Sequence, residues 1–308
     1  MVLVISIILI VFILLFLAAW FWYFKNEANA AKKFYNHGFV EFQDKAYSKA
    51  ISFFKKAVEA KPDFKDALCW LGLSYLEIKD WQKAKESFEK ALKLNPKDFN
   101  ALFNIALILQ AQNSYDQARE FYNRALKENS KNHDCYFKLG QMDFDENNVS
   151  QALEFFQKAH ELSPNNASIS FYIAKCKEEE CRYDSMEEGQ SVIEEYLKVT
   201  ALEKIPPLFE ITLAKAYAKA GQIDMSLECC KKALAKDDAD VESYNILGLL
   251  QLLKSNPDEA KNTLSTAISL ESSNEDAHNI LSYALCRHED RCIAEKCRLK
   301  YKKIVKKQ

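Results

Sequence analysis

Five small residues, Gly38, Gly72, Ala106, Gly140 and Ala174, follow one another at a constant spacing of 34. The spacing recurs in two further sets, Ala50, Ala84, Ala118 and Ala152, then Ala57, Ala91, Ala125 and Ala159, and Pro62, Pro96 and Pro164 keep the same phase. A period of this size means repeated supersecondary units, each burying its apolar face on its neighbours rather than in one globular core. The functional question becomes what the surface of such an array holds.

The stretch from Lys65 to Lys97 shows one unit. Leu68, Leu71, Gly72 and Tyr75 fall at i, i+3, i+4 and i+7, which predicts a one-sided helix. Lys79-Asp80 breaks the pattern, and Trp81, Ala84, Phe88 and Ala91 resume it as a second helix. Pro96 ends that helix, because proline disfavours helical geometry in the residue before it. Gly72 and Ala84 are expected where the paired helices touch, and Ala91 where the next unit packs. Glycine weakens a helix by about 1 kcal/mol against alanine, so its placement here points to close approach.

A small residue, Tyr, Ala, aromatic, Ala and Pro at these offsets, with period 34, resembles the tetratricopeptide repeat. The resemblance implies an all-α solenoid of antiparallel helix pairs stacked into a right-handed superhelix with a concave groove. Units 31–64, 65–98, 99–132 and 133–166 fit well. The fifth, 167–206, is longer, because Ala174 to Ala214 is 40 residues, and Val192, Tyr196 and Val199 place the extra six near Cys181 to Gly189. Units 207–240 and 241–274 carry Ala214 and Gly248 at the small position, and an eighth first helix covers roughly 275–287. About seven helix pairs result, as an array over 31–287.

Ligand contacts in the family come largely from inner positions of the first helices. Carried over, these are Tyr35, Asn36 and Phe39, with Lys32 and Phe42; Trp70, with Leu73 and Leu76; Asn100, Phe103 and Asn104, with Leu107; Phe137, Lys138 and Gln141, with Phe144; and Phe171 and Tyr172. Aromatic anchors studded with amides suit an extended or helical peptide, although Leu73, Leu107 and Phe144 equally suit packing between units. The two-carboxylate clamp of the chaperone-binding members is absent from these positions.

Residues 2–24 contain no charged side chain, which is long enough to cross the ~30 Å hydrocarbon core. Trp20 to Phe24 form an interfacial aromatic cluster, and Lys25, Lys32 and Lys33 follow it. These features predict a single-pass anchor over 1–24, a linker over 25–30, and repeats facing the cytoplasm. A cleaved signal is the rival, since Ala28-Asn29-Ala30 fits a cleavage pattern, but no basic n-region precedes the apolar run. The odd count of nine cysteines excludes complete internal pairing and favours a reducing compartment. Residues 288–308 read as a basic capping helix or tail.

The balance of 42 basic and 44 acidic residues argues against nucleic acid. No phosphate loop or catalytic motif occurs, so neither catalysis, cofactor nor small-molecule substrate is expected. Cys286, His288, Cys292 and Cys297 lack the paired spacing of a zinc site. The sequence therefore predicts a membrane-anchored scaffold recruiting a peptide or protein partner. The layout also resembles bacterial inner-membrane adaptors and mitochondrial import receptors. Alternatives are a targeting receptor for amphipathic segments, or an exported assembly factor if the leader is removed.

Overall fold

The computed structural model describes residues 27–206 and 208–285, all helices and turns, with no strand among them. The anchor expected over 1–24 and the tail expected over 288–308 lie outside the described residues. No described helix is long and apolar enough to cross a membrane. The chain divides into two compact units, the described residues up to Cys135 and those from Tyr136 onward.

The first unit holds α1 (27–43), α2 (Tyr47–Ala60), α3 (Lys65–Glu77), α4 (Trp81–Leu94), α5 (Phe99–Ala111) and α6 (Tyr115–Glu128). The boundary falls within α7 (His133–Asp145). The second unit continues with α8 (Val149–Leu162), α9 (Ala167–Glu180), α10 (Met186–Thr200), α11 (Phe209–Lys219), α12 (Ile223–Lys236), α13 (Val241–Leu253), α14 (Pro257–Leu270) and α15 (Glu275–Leu285). Within each unit, consecutive helices pack on one another.

Each hairpin is built by the same local chemistry. The middle residue of the turn between paired helices has positive φ at Lys45, Lys79, Asn113, Asn147, Gly221 and Ser255. In the second repeat the Asp80 N–H then donates to the Tyr75 carbonyl at 2.9 Å, closing the helix end as a left-handed cap does. The first helices α5, α7, α9 and α15 start on side-chain caps. Asp98 accepts from the Ala101 N–H, Asn132 from Cys135, Asn166 from Ser168 and Ile169, and Asn274 from Ala277.

Packing explains the small residues more sharply than the sequence did. A Cβ on Gly72 would lie 2.7 Å from Phe88 Cζ, so the close partner is the Phe88 ring rather than Ala84. Gly38 faces Phe54, Gly140 faces Phe156 and Gly248 faces Leu264 in the same way. Ala50, Phe54 and Ala57, like their counterparts Ala84, Phe88 and Ala91, are completely buried. A fully buried Phe contributes about 1.5–3 kcal/mol, so the repeats of Gly38, Gly72 and Gly140 each rest on one large side chain seated against one minimal one.

The fifth repeat departs from the register between Ala174 and Val192, where the sequence placed its extra residues. Relative to the other repeats, α9 runs one residue further, the turn gains two, and α10 starts three early. The α11 helix starts at Phe209, two residues inside its sequence boundary, after the Pro206-Pro207 pair.

Charge is partitioned in a way the overall balance conceals. Residues 27–135 carry 18 basic and 15 acidic side chains, whereas residues 136–285 carry 14 basic and 26 acidic, a net of −12.

Candidate functional site

In the first unit, the inner positions of α1, α3 and α5 form an aromatic layer. Trp70 on α3 meets Phe39 and Phe42 edge-on, with centroids 4.9 and 5.0 Å away, and stacks at 6.5 Å on Phe54. Tyr35 lies 5.9 Å from Phe54 and 5.0 Å from Phe64. Trp70 therefore bridges two repeats and is half-buried, so packing claims much of the ring that the sequence assigned to a ligand. Phe103 stacks on Phe99 at 5.8 Å and meets Tyr122 at 5.7 Å. Asn36 and Asn100 are exposed, and Asn104 is half-buried because its side chain donates to the Asn100 carbonyl at 2.8 Å.

In the second unit, Phe137 packs on Phe156 and Tyr172, and Phe144 meets Tyr172 at a right angle, 5.9 Å away. Lys138 donates to Gln141 Oε1 at 3.0 Å. Phe171 does not line a surface. It is only 6% exposed, packed against Tyr196 and Phe209, because the aromatic residues of the following elements close over it. Of the aromatic candidates, Tyr35, Phe39, Trp70, Phe103, Phe137 and Tyr172 keep half-buried side chains.

Two residues at the same inner offsets were not among the candidates read from the sequence. Lys175 lies over three rings, with its ammonium 5.0 Å from the Phe144 centroid, 5.7 Å from Tyr172 and 5.9 Å from Phe171. Glu178, three residues on, is buried. It accepts the Tyr196 hydroxyl at 2.5 Å and pairs with Lys219 at 2.6 Å. The repeat offset that located Phe171 and Tyr172 also reaches both, so the signal was present. Burial, followed by the Glu178 charge, pushes the Tyr196 hydroxyl far above its ordinary range, so it donates and does not ionise.

Among the described residues, Cys69, Cys135, Cys176, Cys229 and Cys230 are free and buried. Burial pushes the thiols of Cys69, Cys135 and Cys176 up to about 12, which removes thiolate reactivity near neutrality. No group of three or more His, Cys, Asp or Glu side chains among the described residues could hold a metal ion. Cys286, His288, Cys292 and Cys297 lie outside the described residues. A cleft of about 340 Å³ between α2, α3 and α4 is lined by Lys55, Lys83 and Lys90, but also by Glu59 and Glu86, and carries no strong charge preference.

Comparison with known proteins adds the following. Residues 55–170 match a family model described as the cytochrome c-type biogenesis protein H TPR domain. Residues 32–64 and 241–274 match a tetratricopeptide-repeat model. No curated protein matches the sequence. Among solved structures, the APC/C hetero-tetramer Cut9–Hcn1 gives a TM-score of 0.65 at 19% identity, covering 81% of this chain and 48% of that one, so this chain spans about half of its length. A tetratricopeptide repeat protein from Parabacteroides merdae gives 0.59 at 18% identity, over 83% of this chain and 99% of that one. YrrB, described as having an unusual peptide-binding site, gives 0.50 at 19% identity, over 63% and 97%. At these identities the likeness is one of fold.

Proposed function

We propose that this chain, whose repeats match tetratricopeptide-repeat models over residues 32–170 and 241–274, is a non-catalytic scaffold that holds a peptide or protein partner at a membrane. Residues 2–24 are its anchor, and the repeats face the cytoplasm. The partner lies on inner positions of the first helices, where aromatic rings alternate with amides. The carrying observation is that half-buried aromatics stand beside exposed amides on two first helices of the first unit, Tyr35 and Phe39 beside Asn36 on α1, and Phe103 beside Asn100 on α5. Rings already fixed by packing lose little entropy on binding, and amides beside them can satisfy a peptide backbone.

The test is capture of partners by the full-length protein in mild detergent. Asn36→Ala and Asn100→Ala remove exposed groups and should weaken capture without altering the melting curve. Phe103→Ala should weaken it further, but Phe103 also packs on Tyr122, so its loss is read only alongside a stability measurement. Lys127→Ala, exposed on α6, is the control. Undiminished capture by the two asparagine variants would remove these positions from the partner surface.

A second reading follows from the match over residues 55–170, whose model takes its description from cytochrome c-type biogenesis. On that reading the chain is an assembly factor, and partners recovered by proximity labelling would include components of that assembly.

A further inference from the structure

Lys175 sits in an unusual electrostatic setting. It lies within residues 136–285, which carry a net charge of −12. The neighbouring cations of that unit have found carboxylates: Lys177 pairs with Glu195 at 2.6 Å, Lys219 with Glu178 at 2.6 Å, and Lys215 with Glu242. Lys175 forms no ion pair with any described carboxylate. Asp145, whose carboxyl is pushed up by burial and pulled back by the Lys175 charge, is not within ion-pair distance of it. Aromatic rings support the ammonium instead, those of Phe144, Phe171 and Tyr172, with Phe144 and Tyr172 set at 90° to each other.

Ring contacts hold an ammonium through its charge and leave N–H donors to spare. The rings also fix the side chain, so less of its freedom is lost when an acceptor arrives. Lys175 stands in the middle of α9, at the inner position that Gln141 takes on α7 and Lys215 on α11. A segment crossing these helices would pass Lys175 along its length rather than end there.

We propose that Lys175 is the docking point for an Asp or Glu side chain carried within the apolar or aromatic segment that the second unit holds. The rings of Phe144 and Tyr172 flank the carboxylate with apolar surface, so the preferred ligand places an acidic residue beside aliphatic or aromatic ones. This rests on the reading that inner first-helix positions hold a peptide. It adds a charge requirement that neither the family resemblance nor the composition of the chain contains.

The experiment selects binders from a random dodecapeptide phage library on full-length protein in nanodiscs, in parallel for the native chain, Lys175→Arg and Lys175→Met. All three are first matched by circular dichroism and melting temperature. Native protein and Lys175→Arg should enrich Asp or Glu at one fixed place next to apolar residues, and Lys175→Met should not. A selected peptide resynthesised with Asn for that Asp should bind native protein about tenfold more weakly, as expected for one charge-assisted hydrogen bond, and should bind Lys175→Met as well as its parent does. Binders without acidic enrichment would overturn the role of Lys175 and leave the peptide surface standing. Enrichment confined to peptides with a free C-terminal carboxylate would overturn the side-chain assignment. Failure of every selection would overturn the underlying peptide-holding reading itself.

Discussion

The ring of Phe88 occupies the space in front of Gly72 so completely that a Cβ there would lie within 2.7 to 2.9 Å of three ring carbons. The relationship recurs with adjusted sizes. Glycine stands where the second helix offers Phe54, Phe88 or Phe156, and alanine at the corresponding place, Ala106 and Ala174, where it offers Tyr122 or Tyr196. Because both partners sit in a buried seam, a shift of the ring has to be taken up by the side chains packed around it.

Gly72→Ala should therefore destabilise the protein despite the better helix propensity of alanine. Overpacking costs about 1–3 kcal/mol, more than the ~1 kcal/mol that propensity returns. Gly72→Leu should disrupt the second repeat and loosen its neighbours, since a solenoid is held by adjacent interfaces. Urea unfolding of the full-length protein reads both, and an unchanged midpoint for Gly72→Leu would refute the packing described.

The positive-φ turns make a prediction of opposite sign. Lys79 holds a φ of 60° and Ser255 one of 61°, a region costing an L-residue with a Cβ roughly 1–2 kcal/mol. Lys79→Gly and Ser255→Gly should each stabilise by roughly 0.5–1 kcal/mol, after allowing for the extra freedom glycine gives the unfolded chain. Gly221→Ala, at the same place in the sixth repeat, should lose about 1 kcal/mol. Thermal melting of the three variants against the native chain decides the matter.

Glu178 joins α9 to both α10 and α11, through Tyr196 and Lys219. Glu178→Ala leaves a buried hydroxyl without its acceptor and a part-buried ammonium without its counter-charge. Losing one member of a buried pair costs about 3–5 kcal/mol, and the fifth repeat should unfold first. Hydrogen exchange should report the loss across α9 to α11. A double-mutant cycle of Glu178→Ala with Lys219→Met should show coupling, and additive effects would place the stability elsewhere.

Orientation can be read from a site already in the chain. Asn148-Val149-Ser150 is a glycosylation acceptor pattern, and Asn148 is exposed with no capping hydrogen bond from its side chain. Asn166-Ala167-Ser168 is a second such pattern, but the Asn166 side chain is committed to capping α9. Translated with microsomes, the full-length chain should gain no glycan if the repeats face the cytoplasm. A mass increase that Asn148→Gln abolishes would overturn the proposed orientation.

The period, the helix pairs and their turns were legible because they arise locally. The cap residues before most first helices, the three-residue turns of the regular repeats and the apolar stripe along each helix are written within a few residues of where they act. The six extra residues of the fifth repeat were legible too, since Val192, Tyr196 and Val199 resume the register beyond them. The candidate surface was less so. Trp70 and Phe103 are both shared with packing, and Phe171 lies inside the core. Lys175 was passed over because a lysine in a sequence looks like solvated surface until the rings around it are seen.

The sequence by itself determined that this chain is a stack of helix pairs, because a 34-residue period of small and large apolar residues admits no other way of burying them. It determined which face of each helix turns inward, through the 3.6-residue period. Tertiary structure alone decided how deep each inward residue lies, because depth depends on the size of the side chain opposite, contributed by another helix. It also decided which charges are paired. An ion pair such as Lys219 with Glu178 joins residues 41 apart in the chain, and only the packing of α9 against its neighbours brings them to one place while leaving Lys175 to its rings.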